Sequence, residues 1–290
     1  MKNSVKKIRN ITVIGLVLNI FLSSAKAVGG VIFHSQSLIA DAVHSLSDLV
    51  TDIAVLVGVK YWNAPPDESH PYGYGRVEAV VSAAIGVILG AVAVELAWDA
   101  FDTVKSGKYT VPELPAFWIA LFSIFSKELL YQVTGKIAKE CSSTALAANA
   151  KHHRSDALSS IPVAAAIIIS NIFPQIKYVD QAGAFIVSFF IMLSAWQIVK
   201  PALDELCDAG NCELQKQILE IASGYSQISS VHHIRTRRIG RNIVGEIHVR
   251  VEPDITVREG YIIARQLETE ILSANGRISD MSIHVEPAED

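Results

Sequence analysis

Long apolar blocks, not narrow amphipathic stripes, dominate residues 11–200 of this chain. The hydrocarbon core of a bilayer is about 30 Å thick, and a helix needs roughly 20 apolar residues to cross it. Six stretches meet that demand, at about 11–33, 37–62, 78–103, 114–135, 148–173 and 178–200. The breaks between them are polar: FHSQS, APPDESHPYGYGR, KSGKYTVPE, GKIAKECSS and NIFPQIKYVD. Beyond Cys207 the periodicity changes. Residues 211–224 read as a helix, 231–238 and 243–251 alternate as strands around Gly240-Arg241-Asn242, 256–274 is a periodic helix, and 280–286 is a last strand. The pattern predicts a six-helix transmembrane domain over residues 1–207, followed by a small cytoplasmic α+β domain of αββαβ order over 208–290. The second domain is small enough that pairing with a second copy would stabilise it.

Composition supports this division. Half of the 290 residues are apolar and only 19% are charged, which excludes a disordered or collagen-like chain. All of the net charge of −4 falls on residues 208–290, with 13 acidic and 9 basic side chains, so no basic face for nucleic acid is expected. Basic residues near the span ends are unevenly shared. Lys2, Lys6, Lys7, Arg9, Lys60, Arg76, Lys136, Lys139, Lys151 and Lys200 fall at one set of ends, against Lys105, Lys108 and Lys177 at the other. The positive-inside bias therefore predicts both termini in the cytoplasm. The opening MKNSVKKIRN resembles the start of a signal peptide, but the apolar run after it is too long and lacks an A-x-A site, so it reads as a span. Cys141, Cys207 and Cys212 form no even framework and no C-x-x-C pair, and read as reduced thiols facing the cytosol.

The second span carries the chemistry. Asp41, His44, Asp48 and Asp52 recur at spacings of three, four and four residues and so share one helix face. Ionisable groups at that depth cost about 2.5–3.5 kcal/mol each, so the face must look towards a partner, a cavity or an ion. The fifth span echoes it: ADAVHSLSD at 40–48 and ANAKHHRSD at 148–156 both read A-[DN]-A-x-H-x-x-S-D. Each copy sets a His and an Asp one turn apart, His44 with Asp48 and His152 with Asp156. Two imidazoles and two carboxylates from facing helices are the ligand number and type of tetrahedral Zn²⁺. Asp41 and Asn149 hold matching places before the ligands, as groups that orient them or line the way in. Asp52, Glu95, Asp99, Lys127 and Glu128 read as helix-end or interhelical partners.

HSLSD, HHRSD, the loop HPYGYGRVE at 70–78, six spans and a small C-terminal domain together resemble the cation diffusion facilitator family over essentially the whole chain. The resemblance implies a homodimeric exporter of Zn²⁺ or related divalent ions, working against protons in a prokaryotic plasma (inner) membrane, with a ferredoxin-like, metallochaperone-like cytoplasmic domain. It makes His44, Asp48, His152 and Asp156 the transport site, a set that goes with zinc preference. It points to a loop metal position at Asp67 and His70, reduced here because Tyr74 stands where relatives have His. It also pairs Arg76 with Asp208. In the cytoplasmic domain it points to a regulatory zinc site at His232, His248, His284 and Glu286, again reduced because Tyr261 replaces a His; His233 reads as an exposed bystander.

Charge arithmetic points the same way. Two neutral imidazoles and two carboxylates around Zn²⁺ sum to zero, whereas the empty site would hold two negative charges in low dielectric and take up protons. No G-x-x-x-x-G-K-[ST] loop is present, so a nucleotide has no candidate site. Two rival readings are a membrane-embedded zinc metalloenzyme and a non-transporting membrane metal sensor or assembly protein. The first lacks an H-E-x-x-H motif and would need an open coordination position, which four protein ligands leave no room for.

Overall fold

A computed structural model of the chain describes residues 2–107, 110–141 and 143–288; Lys108 and the side chains of Lys2, Lys6 and Asp52 lie outside the described set. Among the described residues seven helices come first: α1 (Lys2–Ile32), α2 (Gln36–Trp62), α3 (Arg76–Ser106), α4 (Leu114–Glu140), α5 (Thr144–Ser159), α6 (Ile161–Ile172) and α7 (Val179–Leu206). They are followed by α8 (Cys212–Ser223), β1 (Ile228–Ile239), β2 (Asn242–Val251), α9 (Val257–Ala274) and β3 (Ile278–Pro287). Two compact units result, residues 1–55 with 85–197 and residues 56–84 with 198–290, and the boundaries fall inside α2, α3 and α7.

The helical unit is a transmembrane domain packed small-side-in. Its core gathers Leu38, Ala40, Ala93, Ala100, Ala116, Ala120, Val163, Ala164, Ile167, Ala184, Val187 and Ile191. Trp98, Phe125 and Trp196 point outward, 68%, 67% and 60% exposed. Small residues let membrane helices approach closely while large apolar side chains face lipid, the reverse of a water-soluble core. Gly183 marks one such approach: a Cβ there would sit 2.7 Å from Ala166 Cβ and 3.0 Å from Ser37 Cβ. Among the described residues, five stretches are long and apolar enough to span a bilayer: Arg9–Ile32, Arg76–Ser106, Leu114–Glu140, Asn149–Ile172 and Val179–Leu206. The remaining long helix, α2, has 27 residues and carries Asp41, Asp48 and Asp52 along its length.

Two prolines shape their helices differently. Pro162 separates α5 from α6, with Ser160 closing the first helix and opening the second; its missing N–H cannot continue the ladder. Pro201 sits inside α7, which runs on to Leu206 beyond the expected end at residue 200.

A buried carboxylate starts α2. Asp180, 2% exposed, accepts from the Ser35 hydroxyl at 2.9 Å, the Ser37 hydroxyl and the Gln36 amide at 2.6 Å. The first N–H groups of a helix have no partner within it and favour an anion, and Asp180 supplies one from α7.

In the second unit, β1 pairs antiparallel with β2, and β2 pairs parallel with β3 across the α9 crossover. This αββαβ unit has three strands, one fewer than the ferredoxin-like βαββαβ motif. Leu214, Ile218 and Ala222 of α8 and Leu267 and Ile271 of α9 cover one sheet face through Ile247, Val249 and Met281. Glu246, His248 and Arg250 alternate with those core residues and occupy the opposite face. Two side-chain caps delimit the helices: Asn211 accepts from the Leu214 amide at 3.0 Å, and Thr256 forms a capping box with Glu259.

Asp180→Ala is expected to destabilise the helical unit by about 2–3 kcal/mol, because buried donors at the start of α2 lose a charged acceptor. The check is a lowered unfolding midpoint in detergent, with Ser35→Ala giving the smaller drop.

Candidate metal centre

The echoed motifs lie on α2 and α5. Ligand atoms of His44, Asp48 and Asp156 all fall within 4.8 Å of one another. His44 is 9% exposed and Asp156 4%. Asp48 Oδ2 is buried and accepts no hydrogen bond. His152 stands beside this trio: its Nδ1 is 3.7 Å from Asp156 Oδ1, and its side chain is 45% exposed. Three of the four expected ligands therefore converge and the fourth flanks them. His153, next in sequence, is buried and packs towards α1, with Nε2 3.4 Å from where a Cβ on Gly15 would be.

Two buried lysines join this region. Lys127 of α4 is 2% exposed, and its Nζ donates to Asp156 Oδ2 at 2.8 Å. Lys26 of α1 is fully buried, with Nζ 2.8 Å from Asp41 Oδ2 and within hydrogen-bond reach of Ser45 Oγ and Ser160 Oγ. Ser160 in turn donates to Asp41 Oδ1 at 3.0 Å. Asp41 is therefore held in an ion pair away from water, while Asn149 is half-buried on α5. Sequence reading passes over Lys26, although a lone lysine in the middle of an apolar span is itself the signal. Of the other expected partners, Asp99 meets Gln36, and Glu128 meets Gln132 within its own helix.

In the loop before α3, the Asp67 carboxylate is already engaged. Oδ1 accepts from the Ser69 and His70 amides at 2.9 and 2.7 Å, and Oδ2 from the Tyr74 hydroxyl at 2.6 Å. His70 stacks on the Tyr74 ring at 4.2 Å. The pair forms no three-donor cluster among the described residues. Arg76 and Asp208 form an ion pair, and Arg237 approaches the same carboxylate at 3.9 Å.

On the open face of the sheet, His232, His248 and His284 stand in register across β1, β2 and β3. Glu286 ties them together, 2.9 Å from His248 Nδ1, 3.2 Å from His232 Nε2 and 3.6 Å from His284 Nε2. These contacts, led by the hydrogen bond from His248, hold the Glu286 carboxyl below the usual range. His233 is exposed, yet it joins His232 and His248 in a second three-donor group. Its left-handed backbone, φ 51°, coincides with the register break between His232 and Arg235, so two consecutive imidazoles reach one face. Strict alternation would put it on the opposite side.

The cation efflux transmembrane domain family matches residues 12–207, and the cation efflux protein cytoplasmic domain family matches 211–288. The chain belongs to the cation diffusion facilitator family. Its members are divalent metal cation efflux transporters. The manganese efflux system protein MneP of Bacillus subtilis is 29% identical over 96% of both chains. Mitochondrial metal transporter 2 of Saccharomyces cerevisiae is 36% identical over 73% of this chain and 49% of its own length. A solved MamM CTD structure in its cadmium form is 26% identical, covering 27% of this chain and 98% of that one, with a TM-score of 0.26.

The Asp67 carboxyl is held below the usual range, first by the Tyr74 hydroxyl and then by the His70 amide. A lowered carboxyl stabilises its turn above the ordinary Asp value of about 3.9 and loses that contribution as pH falls through the lowered value. Tyr74→Phe should therefore move acid opening of residues 67–74 to higher pH, read by hydrogen exchange of that segment. An unchanged profile would show that the Tyr74 hydroxyl does not hold the turn.

Proposed function

We propose that this chain is a homodimeric secondary transporter that moves divalent metal cations, Zn²⁺ foremost, out of the cytosol in exchange for protons. The reading is carried by the convergence of His44, Asp48 and Asp156 within 4.8 Å, with His152 one turn from Asp156. A small movement of the half-exposed His152 ring completes a His₂Asp₂ set around one ion. An imidazole-rich N/O set suits Zn²⁺, whereas manganese is served by harder oxygen-dominated sites. When the ion leaves, imidazole and carboxylate in a poorly solvated site gain protons, which couples the ion to an opposing proton flow. On this reading α2 is the sixth span, kept in the bilayer because its acids face the bundle. The domain boundary is 207/208, both termini are cytoplasmic, and the setting is a prokaryotic plasma membrane.

The cytoplasmic domain supplies dimer contacts and a regulatory metal site at His232, His248, His284 and Glu286. Its occupancy would shift the transporter towards the competent conformation by binding that conformation more tightly. Asn149 lines the approach to the transport site, and the loop residues Asp67 and His70 are at most an accessory position. A manganese cargo is the second reading, favoured by the name of the Bacillus relative.

In proteoliposomes, Zn²⁺-dependent proton movement is expected, reduced at least about tenfold in Asp48→Ala, on the scale of losing one charged ligand. Metal turnover of a peptide or lipid without flux would favour the enzyme reading. Faster Mn²⁺ than Zn²⁺ flux would establish the second cargo. Zinc counting on the full chain should fall when His232 and His248 are both replaced by Ala; an unchanged count would remove the regulatory site.

A further inference from the structure

We propose that the Lys127 ammonium is a resident counter-cation of the transport site, a tethered competitor that the incoming divalent ion must displace from Asp156. The inference rests on the reading of Asp156 as a metal ligand. Lys127 comes from α4, a helix that contributes none of the four expected ligands, and its Nζ lies 2.8 Å from Asp156 Oδ2 with both side chains almost wholly buried. A contact of that length holds one of the two oxygens through which the carboxylate could ligate a metal, and its positive charge opposes a cation at the other.

The two buried lysines have different surroundings. Lys26 is enclosed by Asp41, Ser45 and Ser160, a set in which every member has a partner on another helix or turn. That pair is satisfied without the ion. Lys127 instead holds one oxygen of a carboxylate whose other oxygen is turned towards His152, 3.7 Å away. Across the trio, Asp48 Oδ2 is buried without a donor. The charged groups facing one another are thus Asp41 and Lys26, and Asp48, Asp156 and Lys127, with His44, His152 and His153 beside them. Two ammonium groups among three carboxylates leave one negative charge uncompensated. A divalent ion added while Lys127 stayed in place would reverse the excess in a region where charge is poorly screened.

The exchange resolves this. The ion takes Asp156 and Asp48, the lysine side chain swings off along its flexible stem, and it returns when the ion departs. Lys127 thereby weakens binding and speeds release, and it blocks an emptied site from recapturing its cargo. It acts through Asp156 and is a positioning group, not a ligand.

The test uses Co²⁺, whose visible absorption reports tetrahedral ligation, on the full-length protein in detergent at pH 8, with His232→Ala and His248→Ala in the background. Lys127→Gln is expected to bind Co²⁺ about 10- to 100-fold tighter, the scale of one charge-assisted contact, and to transport more slowly. Lys127→Arg, which keeps the cation, should stay near native affinity. Folded Lys127→Gln protein with native or weaker affinity overturns the lysine's role. Asp48→Asn with undiminished Co²⁺ binding overturns the transport site itself, which separates the two failures. Should Lys127→Gln not fold, a metal-loaded structure of the unmodified protein decides: Lys127 Nζ beyond hydrogen-bond reach of Asp156 supports the displacement, and an intact contact beside the bound ion refutes it.

Discussion

A charge held away from water must be answered within a few ångströms, and that constraint organises the helical unit. Lys26 answers Asp41 between α1 and α2, Lys127 answers Asp156 between α4 and α5, and the amides and hydroxyls at the start of α2 answer Asp180 from α7. Such buried pairs add little net stability, since desolvation offsets most of their attraction, but removing one partner is costly. Their effect is selective: a bundle that took α4 away from α5 would strand Lys127. Against this background of answered charge, the bare oxygen of Asp48 stands out as the position that folding leaves open.

Packing and chemistry use opposite residue types. Alanines from five helices fill the helical core, so the backbones approach closely. The polar groups reach one another across those short gaps: a lysine on α1 and a serine at the α5–α6 junction meet the same aspartate of α2. Bulky aromatic residues lie outside, where lipid replaces packing partners.

Five of the six expected spans were legible because their length and apolarity are set by the bilayer, and the paired His-x₃-Asp motifs because helix periodicity sets the spacing. Their ends were less so. Pro201 suggests a stop at Lys200, yet a single missing donor in α7 is tolerated, whereas Pro162 does break its helix beside Ser160. Lys26 was hidden because its meaning lies in Asp41, on the next helix, and one-dimensional patterning does not reveal which helix faces cross. Lys127 was visible as an interhelical partner but not as the partner of Asp156. His233 reads from sequence as an exposed bystander, and it is exposed; what patterning does not show is the left-handed turn of its own backbone, which carries it to the face of His232 and His248.

The row His232, His248, His284 has one further consequence. These imidazoles are neighbours only because three strands hold a common alignment, fixed on one side by the hairpin at Gly240 and on the other by the α9 crossover. A strand displaced by a single position would turn its histidine into the greasy interior and push a valine or isoleucine into water. Misfolding that domain and dispersing its nitrogen donors are therefore one and the same accident, and a chain able to bury its hydrocarbon correctly has already assembled the cluster.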